Sequence, residues 1–274
     1  MHSTPFARLV AYTWLWLCTL VFLSPIAWMV LQSLKTPIEA IAFPPRFIFS
    51  PTLANYGAVL SSDGFRSALL GSLIIGMGSV AIALATGVPF AYALARCDFP
   101  GRKELGHFIL STKMLPAVVI IVPFIQVYRH IGLLDTYVGV VIAHVLLSLA
   151  VVVWVMRGFF QALPRELEEA AVIDGASRLR AFGVIILPLA VPGLITVAAL
   201  GFILSWNDLF FALTLTSLNV TTLPAFLGTQ YVGFLAVDWG KLSAAGLLAT
   251  LPIMLLAVGL QRFLIRGLAL GAIK

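Results

Sequence analysis

Long apolar runs, broken at intervals by one or a few charges, fill most of the chain. A helix needs about 20 residues at 1.5 Å each to cross a hydrocarbon layer about 30 Å thick. No charge occurs between Arg8 and Lys35, around TWLWLCTLVFLSPIAWMV, nor between Arg66 and Arg96. With four later runs, these predict six membrane helices at about 9–31, 67–95, 106–128, 137–156, 187–212 and 242–261. The first run lacks a small-residue cleavage site and is expected to remain as an anchor. No internal repeat, low-complexity tract or soluble segment interrupts the pattern, so residues 1–274 are expected to form one all-α transmembrane domain.

Composition agrees with the pattern. The 274 residues are 61% hydrophobic and only 10% charged, against about 25% charged in an average soluble domain. A soluble core cannot hide that much apolar surface behind so few charges. The formal charge is +6, but the basic residues are scattered rather than gathered in an aromatic-basic patch, which argues against nucleic acid. Their distribution instead orients the chain. Arg8, Arg96, Arg102, Lys103, Arg157, Arg165, Arg178, Arg180, Arg262, Arg266 and Lys274 fall on one side; Lys35, Arg46, Arg66, Arg129 and Lys241 fall on the other. The positive-inside bias then places both termini in the cytoplasm. Cys18 and Cys97 fit neither a disulfide framework nor a metal site and read as structural.

The loops differ in kind. Outside, residues 36–65 carry Pro37, Pro44, Pro45 and Pro51, and a stiff segment without helix is expected. Residues 214–241 form a second external segment. Inside, residues 157–187 are the one long loop. There Pro164 suits the first position of a helix, and Glu166, Glu168 and Glu169 place negative charge at its positive end. Asp174-Gly175 ends it through a left-handed glycine, and Ser177 caps a second helix that leads to Leu187-Pro188. A capped helix–turn–helix bearing Ala170, Ala171, Val172, Ile173, Phe182, Val184 and Ile185 calls for a partner.

Glu169-Ala170-Ala171, followed at fixed spacing by Gly175, Ile185 and Leu187-Pro188, resembles the EAA loop of binding-protein-dependent ABC importer permeases. The stretches KTPIEAIAFPPRF, LANY, YALARCDFPGRK, MLPAVVIIVP, GLLDTYVGVV, SWNDLFFALTL, TLPA, DWGKLSAAGLLATLPI and QRFLIRGLALGAIK are similar to maltose-type carbohydrate uptake permeases, of the MalG-like rather than the MalF-like half. The resemblance covers about Gln32 to Lys274.

That resemblance implies a MetI-like permease fold in a bacterial cytoplasmic (inner) membrane. It also implies three kinds of partner: a second, dissimilar MalF-like permease, two copies of an ATP-hydrolysing subunit, and an extracytoplasmic solute-binding protein. ATP and Mg would be used by the ATPase, with no cofactor bound by this chain. The loop residues Glu169, Ala170, Ala171, Asp174, Gly175, Ile185, Leu187 and Pro188 would dock on the ATPase, Glu169 against a basic residue. Arg266, Gly267, Gly271 and Lys274 would reach the same interface. The cargo class would be a sugar or related polyol.

The chemistry-bearing residues fit transport better than catalysis. No G-x-x-x-x-G-K-[ST] phosphate loop occurs, so ATP hydrolysis falls to another polypeptide. His2, His107, His130 and His144 form no H-E-x-x-H arrangement, and His144, inside a span, reads as a hydrogen-bonded packing residue. No residue set is expected to be catalytic or to bind a metal. Lys113 either snorkels to the cytoplasmic surface or lines a cavity, in a helix that Pro116 and Pro123 can kink. Asn207 and Asp208, beside Trp206, either receive sugar hydroxyls or cap a broken helix. The competing function is an ion-coupled secondary carrier of a small polar solute, which would call for internal repeats and buried ionisable pairs. A membrane-embedded hydrolase would call for a nucleophile–base pair.

Overall fold

The computed structural model describes residues 5–233 and 237–272, with side chains over 8–233 and 237–261. The regular structure among these residues is helical, apart from one isolated bridge between Val232 and Val237. In order they are α1 (Pro5–Ser33), α2 (Pro37–Ala40), α3 (Ala54–Leu60), α4 (Asp63–Arg96), α5 (Arg102–Ser111), α6 (Ala117–Ile131), α7 (Tyr137–Ala162), α8 (Glu166–Ile173), α9 (Arg178–Ala181), α10 (Leu187–Leu189), α11 (Val191–Trp206), α12 (Phe210–Leu215), α13 (Leu223–Gln230) and α14 (Trp239–Ala272).

Four of these helices are long and apolar enough to cross a membrane: Arg8–Ser33, Asp63–Arg96, Tyr137–Ala162 and Trp239–Gln261. Two bent pairs bring the number to six when each is counted as one span. Arg102–Met114 and Ala117–Ile131 meet at 96°, and Arg178–Leu189 and Val191–Trp206 at 74°. The first bend lies inside the interval 106–128, where a single helix was expected. Pro116 causes it: proline has no N–H to continue the ladder and forces the residue before it out of the helical region. Leu115 is accordingly extended, at φ −72° and ψ 125°.

The chain divides into two compact units, one of residues up to Arg66 with Phe226–Leu251, the other of Ser67–Ala225 with the segment from Pro252. In the first, the segment after α1 contains two short helices, which corrects the expectation of a helix-free external segment. Pro37 sits at the first position of α2, where a missing N–H costs nothing, and α3 contains no proline. Thr36 and Glu39 cap α2 reciprocally. Asn55 Nδ2 fastens the end of α1, donating to Ser33 O at 2.9 Å and Lys35 O at 2.8 Å.

The second unit centres on α7, which packs along α11. Gly193 on α11 permits that approach, since a Cβ there would fall 2.9 Å from the Phe159 ring. One buried cluster joins Val88, Ala91 and Leu94 of α4 to Val152, Met156 and Phe160 of α7 and to Phe182 and Ile186 beyond α9. A second joins Ile75, Ile121, Tyr128, Val140, Phe211 and Leu215. These two clusters hold the ends of the helices that carry the candidate site.

A candidate coupling loop and the helix breaks behind it

The loop between α7 and α11 is built by its caps. The chain leaves α7 extended at Leu163 (φ −74°, ψ 140°), as a residue before proline must be. Helix α8 then begins at Glu166, so Pro164 precedes the helix instead of opening it, correcting the sequence expectation. Glu166, Glu168 and Glu169 occupy its first turn. It ends in a Schellman arrangement: Gly175 N donates to Val172 O at 3.0 Å and Ala176 N to Ala171 O at 2.9 Å, with Gly175 at φ +88°. Ser177 Oγ accepts the N–H of Arg180 at 3.2 Å and caps α9. A π-helical turn, Phe182–Ile186, and α10 complete the segment.

The loop residues singled out from sequence divide by environment. Glu169, Ala170, Asp174, Gly175 and Pro188 are exposed, Ile185 and Leu187 are half-buried against the α4–α7 cluster, and Ala171 is buried. Ile173 and Leu179 flank the turn at 85% and 81% exposure, an apolar surface that solvent alone does not account for. Beside it lies a cleft of about 660 Å³ lined by Arg96, Arg165, Glu168, Glu169, Val172, Ile173 and Arg178. Glu168, read from the sequence only as a charge at the positive end of the helix, is held by Arg96 Nε at 2.8 Å and by the Tyr92 hydroxyl at 2.9 Å. Helical phase was the available signal, because position 168 shares a face with buried Ala171. Of the C-terminal residues, Arg266, Gly267 and Gly271 lie on the backbone of α14, the Arg266 side chain being outside the described set, and Lys274 lies outside the described residues.

At its far end, beyond the second bend, the chain leaves α11 at Asn207. Asp208 Oδ2 accepts the N–H groups of Phe211 at 3.0 Å and Ala212 at 3.2 Å, fixing the start of α12. The same oxygen lies 3.2 Å from His144 Nε2, and His144 Nδ1 lies 2.6 Å from Ser205 Oγ. Serine, histidine and aspartate thus stand in a row, but Ser205 and His144 are buried and the aspartate oxygen is taken up by backbone N–H groups. The row locks a helix break. Asn207 is exposed and its amide returns to Ile203 O at 2.9 Å. The Lys113 amine donates to the carbonyl of Leu147, part-way along α7. Among the described residues, no three His, Cys, Asp or Glu side chains group as metal ligands.

A clamp sits between α6 and α7. The Asp135 carboxylate accepts N–H bonds from Ser217, Leu218, Asn219 and Val220 at 2.9–3.2 Å, and bonds from the Ser217 hydroxyl and Asn219 amide. Burial opposes its charge, but these donors outweigh that effect and hold the carboxyl well below the usual carboxylate range.

Residues 87–270, which include the coupling loop and both bends, match the family described as "Binding-protein-dependent transport system inner membrane component". The chain belongs to that family. This permease is 36% identical over 272 residues to the probable ABC transporter permease protein y4oR of Sinorhizobium fredii, covering 97% of this chain and 96% of that one. It is 35% identical over 273 residues to the trehalose transport system permease protein SugB of Mycobacterium tuberculosis, covering 98% and 99%. Its fold is that of a bacterial ABC transporter involved in import of the acidic polysaccharide alginate, with a TM-score of 0.80 at 24% identity over 96% of this chain and 99% of that one. The MetI-like resemblance drawn from the EAA spacing therefore holds at the level of family and fold. The chain is an inner-membrane permease subunit of a binding-protein-dependent ABC importer.

Proposed function

We propose that this permease forms half of the translocation pathway for a sugar or related polyol, beside a second, dissimilar MalF-like permease. Two copies of an ATPase would hydrolyse ATP with Mg outside this chain, and both termini would lie in the cytoplasm. The observation that carries this reading is the exposed, doubly capped turn at Gly175, flanked by Ile173 and Leu179. Its rigidity suits it to seat in a cleft of another subunit and pass on displacement. Glu169 would meet a basic residue there, with Ala170, Ala171, Asp174, Gly175, Ile185, Leu187 and Pro188 shaping the helix pair. The tail carrying Arg266, Gly267, Gly271 and Lys274 would lie along the same subunit.

The sugar class rests on relatives such as the trehalose permease of M. tuberculosis. A solute-binding protein would deliver the cargo to the external loops 36–65 and 214–241. Asn207, exposed at the α11–α12 break, is the better candidate for meeting cargo, because Asp208 is committed to capping and to His144. Lys113 would act on the pathway only through its bond to α7.

The test is co-isolation. The chain is expressed with its companion subunits, and retention of the ATPase is compared between wild type and Glu169→Lys. Retention by wild type and loss by the variant is expected. Retention by neither refutes the importer reading, and equal retention removes the role of Glu169. Thermal shift of the binding protein against a panel of sugars and polyols then tests the cargo class.

A further inference from the structure

Both oxygens of one carboxylate on α8 are held by the last turns of α4. Arg96, whose side chain is only 6% exposed, places Nε 2.8 Å from Glu168 Oε1 and donates from Nη2 to Leu163 O at 2.7 Å. Tyr92, one helical turn earlier, donates its hydroxyl to Glu168 Oε2 at 2.9 Å. The ring of Tyr92 packs on Phe182 at 4.4 Å and on Phe160 at 5.7 Å between centroids. Phe182 opens the π-helical turn through which the chain leaves the loop.

We propose that Glu168, gripped by Arg96 and Tyr92, is the strut that carries movement of the coupling helix α8 into the membrane helix α4. The proposal rests on the coupling role given above. Along the chain, α8 connects to the rest of the molecule only through the non-helical stretches at 163–165 and 174–177. Stretches of that kind absorb displacement by changing φ and ψ, so a push delivered at Ile173 and Leu179 would dissipate there. The Glu168 grip bypasses both stretches and loads a 34-residue helix at its end. An ion pair this largely withdrawn from water, at the wall of the cleft, contributes little net stability, because desolvation offsets attraction; what it fixes is position. Glu169, the neighbouring acid, is exposed and makes no part of the grip. The two acids thus divide the work: Glu169 faces outward to the partner and Glu168 faces inward to the membrane helix. Glu168 is a positioning residue, acting through Arg96.

Severing the strut should let the ATPase subunits close without moving α4, which removes the load on hydrolysis. The experiment uses the complete complex in nanodiscs, with Mg-ATP and no cargo, and measures both ATPase retention and hydrolysis rate. For Glu168→Gln the expected result is wild-type retention with basal hydrolysis raised about fivefold or more, at the lower edge of ordinary coupling factors. Tyr92→Phe removes one hydroxyl, should fold wherever the parent does, and should raise the rate by about twofold. The double variant Arg96→Gln/Glu168→Gln should match the single one, since both break one linkage. Mere destabilisation would lower the rate, not raise it. Unchanged or reduced hydrolysis in both Glu168→Gln and Tyr92→Phe overturns the strut, and so does release of the ATPase by Glu168→Gln, which would make that residue a docking contact. Should Glu168→Gln fail to assemble, Tyr92→Phe decides alone. Glu169→Lys is run in parallel: its retention of the ATPase would remove the docking role of Glu169 and leave the strut standing on its own ratio, whereas a wild type that retains none removes both.

Discussion

His144 Nε2 stands 3.2 Å from Asp208 Oδ2 while its Nδ1 stands 2.6 Å from Ser205 Oγ, so one buried imidazole ties α7 to both sides of the break between α11 and α12. Replacing it with alanine leaves a buried hydroxyl without its partner and opens a cavity. The expected loss for His144→Ala is about 2–4 kcal/mol from the two effects together. His144→Gln, which can reach one partner but not both, should lose about half of that. Thermal unfolding of the complex in detergent reads both variants, and a midpoint for His144→Ala equal to wild type would refute the tie.

Gly175 offers a cleaner test, because a Cβ built there meets nothing within 4 Å. The cost of adding a Cβ therefore comes from the backbone at φ +88°, about 1–2 kcal/mol for an L-residue held in the left-handed region. Gly175→Val should reset the turn and weaken ATPase retention, while Gly175→Asn, a side chain that tolerates this region, should stay close to wild type. Equal retention by the two variants would show that the turn conformation does not matter to docking.

What could be read in advance, and what could not, follows from the range of the interactions. The caps at Gly175 and Ser177 depend on neighbours within a few residues, and both are present as the sequence predicts. The all-α membrane class rests on run length and composition, which are equally local. The start of α8 was misplaced because Pro164 permits a helix but does not compel one, and the carbonyl of Leu163 is drawn instead to Arg96. Pro116 could be seen as a kink, yet its 96° consequence could not, since the angle depends on what α5 and α6 pack against. The ties of Glu168 to Arg96 and of Asp135 to 217–220 join residues far apart in sequence, and no local pattern announces such pairs. A non-glycine residue at φ +55° was the one local mark of Asp135, and it exists only in three dimensions.

Lys35 bears on how the segment after α1 is held. The residue is 1% exposed and its amine lies 4.9 Å from the ring centre of Trp28 and 5.4 Å from that of Phe49. Cation–π attraction of this kind amounts to about 0.5–2 kcal/mol. Lys35→Met preserves most of the aliphatic volume and should cost about 1 kcal/mol by losing that attraction. Lys35→Ala should cost more by adding a cavity, and should speed proteolytic cleavage within residues 36–53. If Lys35→Met and Lys35→Ala are cleaved at the wild-type rate, the aromatic contacts do not restrain the segment.

The Asp135 clamp predicts a pH dependence with a definite sign. Burial pushes its carboxyl up, but donors from Ser217, Asn219, Leu218 and Val220 prevail and hold it below the ordinary range. A carboxylate depressed in the folded state stabilises it fully above the unfolded value, near 3.9, and loses that contribution as pH falls through the folded value. Stability should therefore be flat with respect to this group at neutral pH and decline only in strong acid. Asp135→Asn keeps a side chain that tolerates φ +55° but replaces one acceptor oxygen with a donor, so some of the six bonds must break. Because the site is partly open to solvent, the loss at pH 7 should be modest, about 1 kcal/mol. It should begin to shrink as pH falls below the unfolded value of about 3.9, and vanish only once the folded carboxylate itself protonates, well below that. Parallel unfolding curves for parent and Asp135→Asn from neutral pH into acid measure this directly. A stability gap that stays constant down to the lowest pH would mean that the clamp works through shape and not through charge.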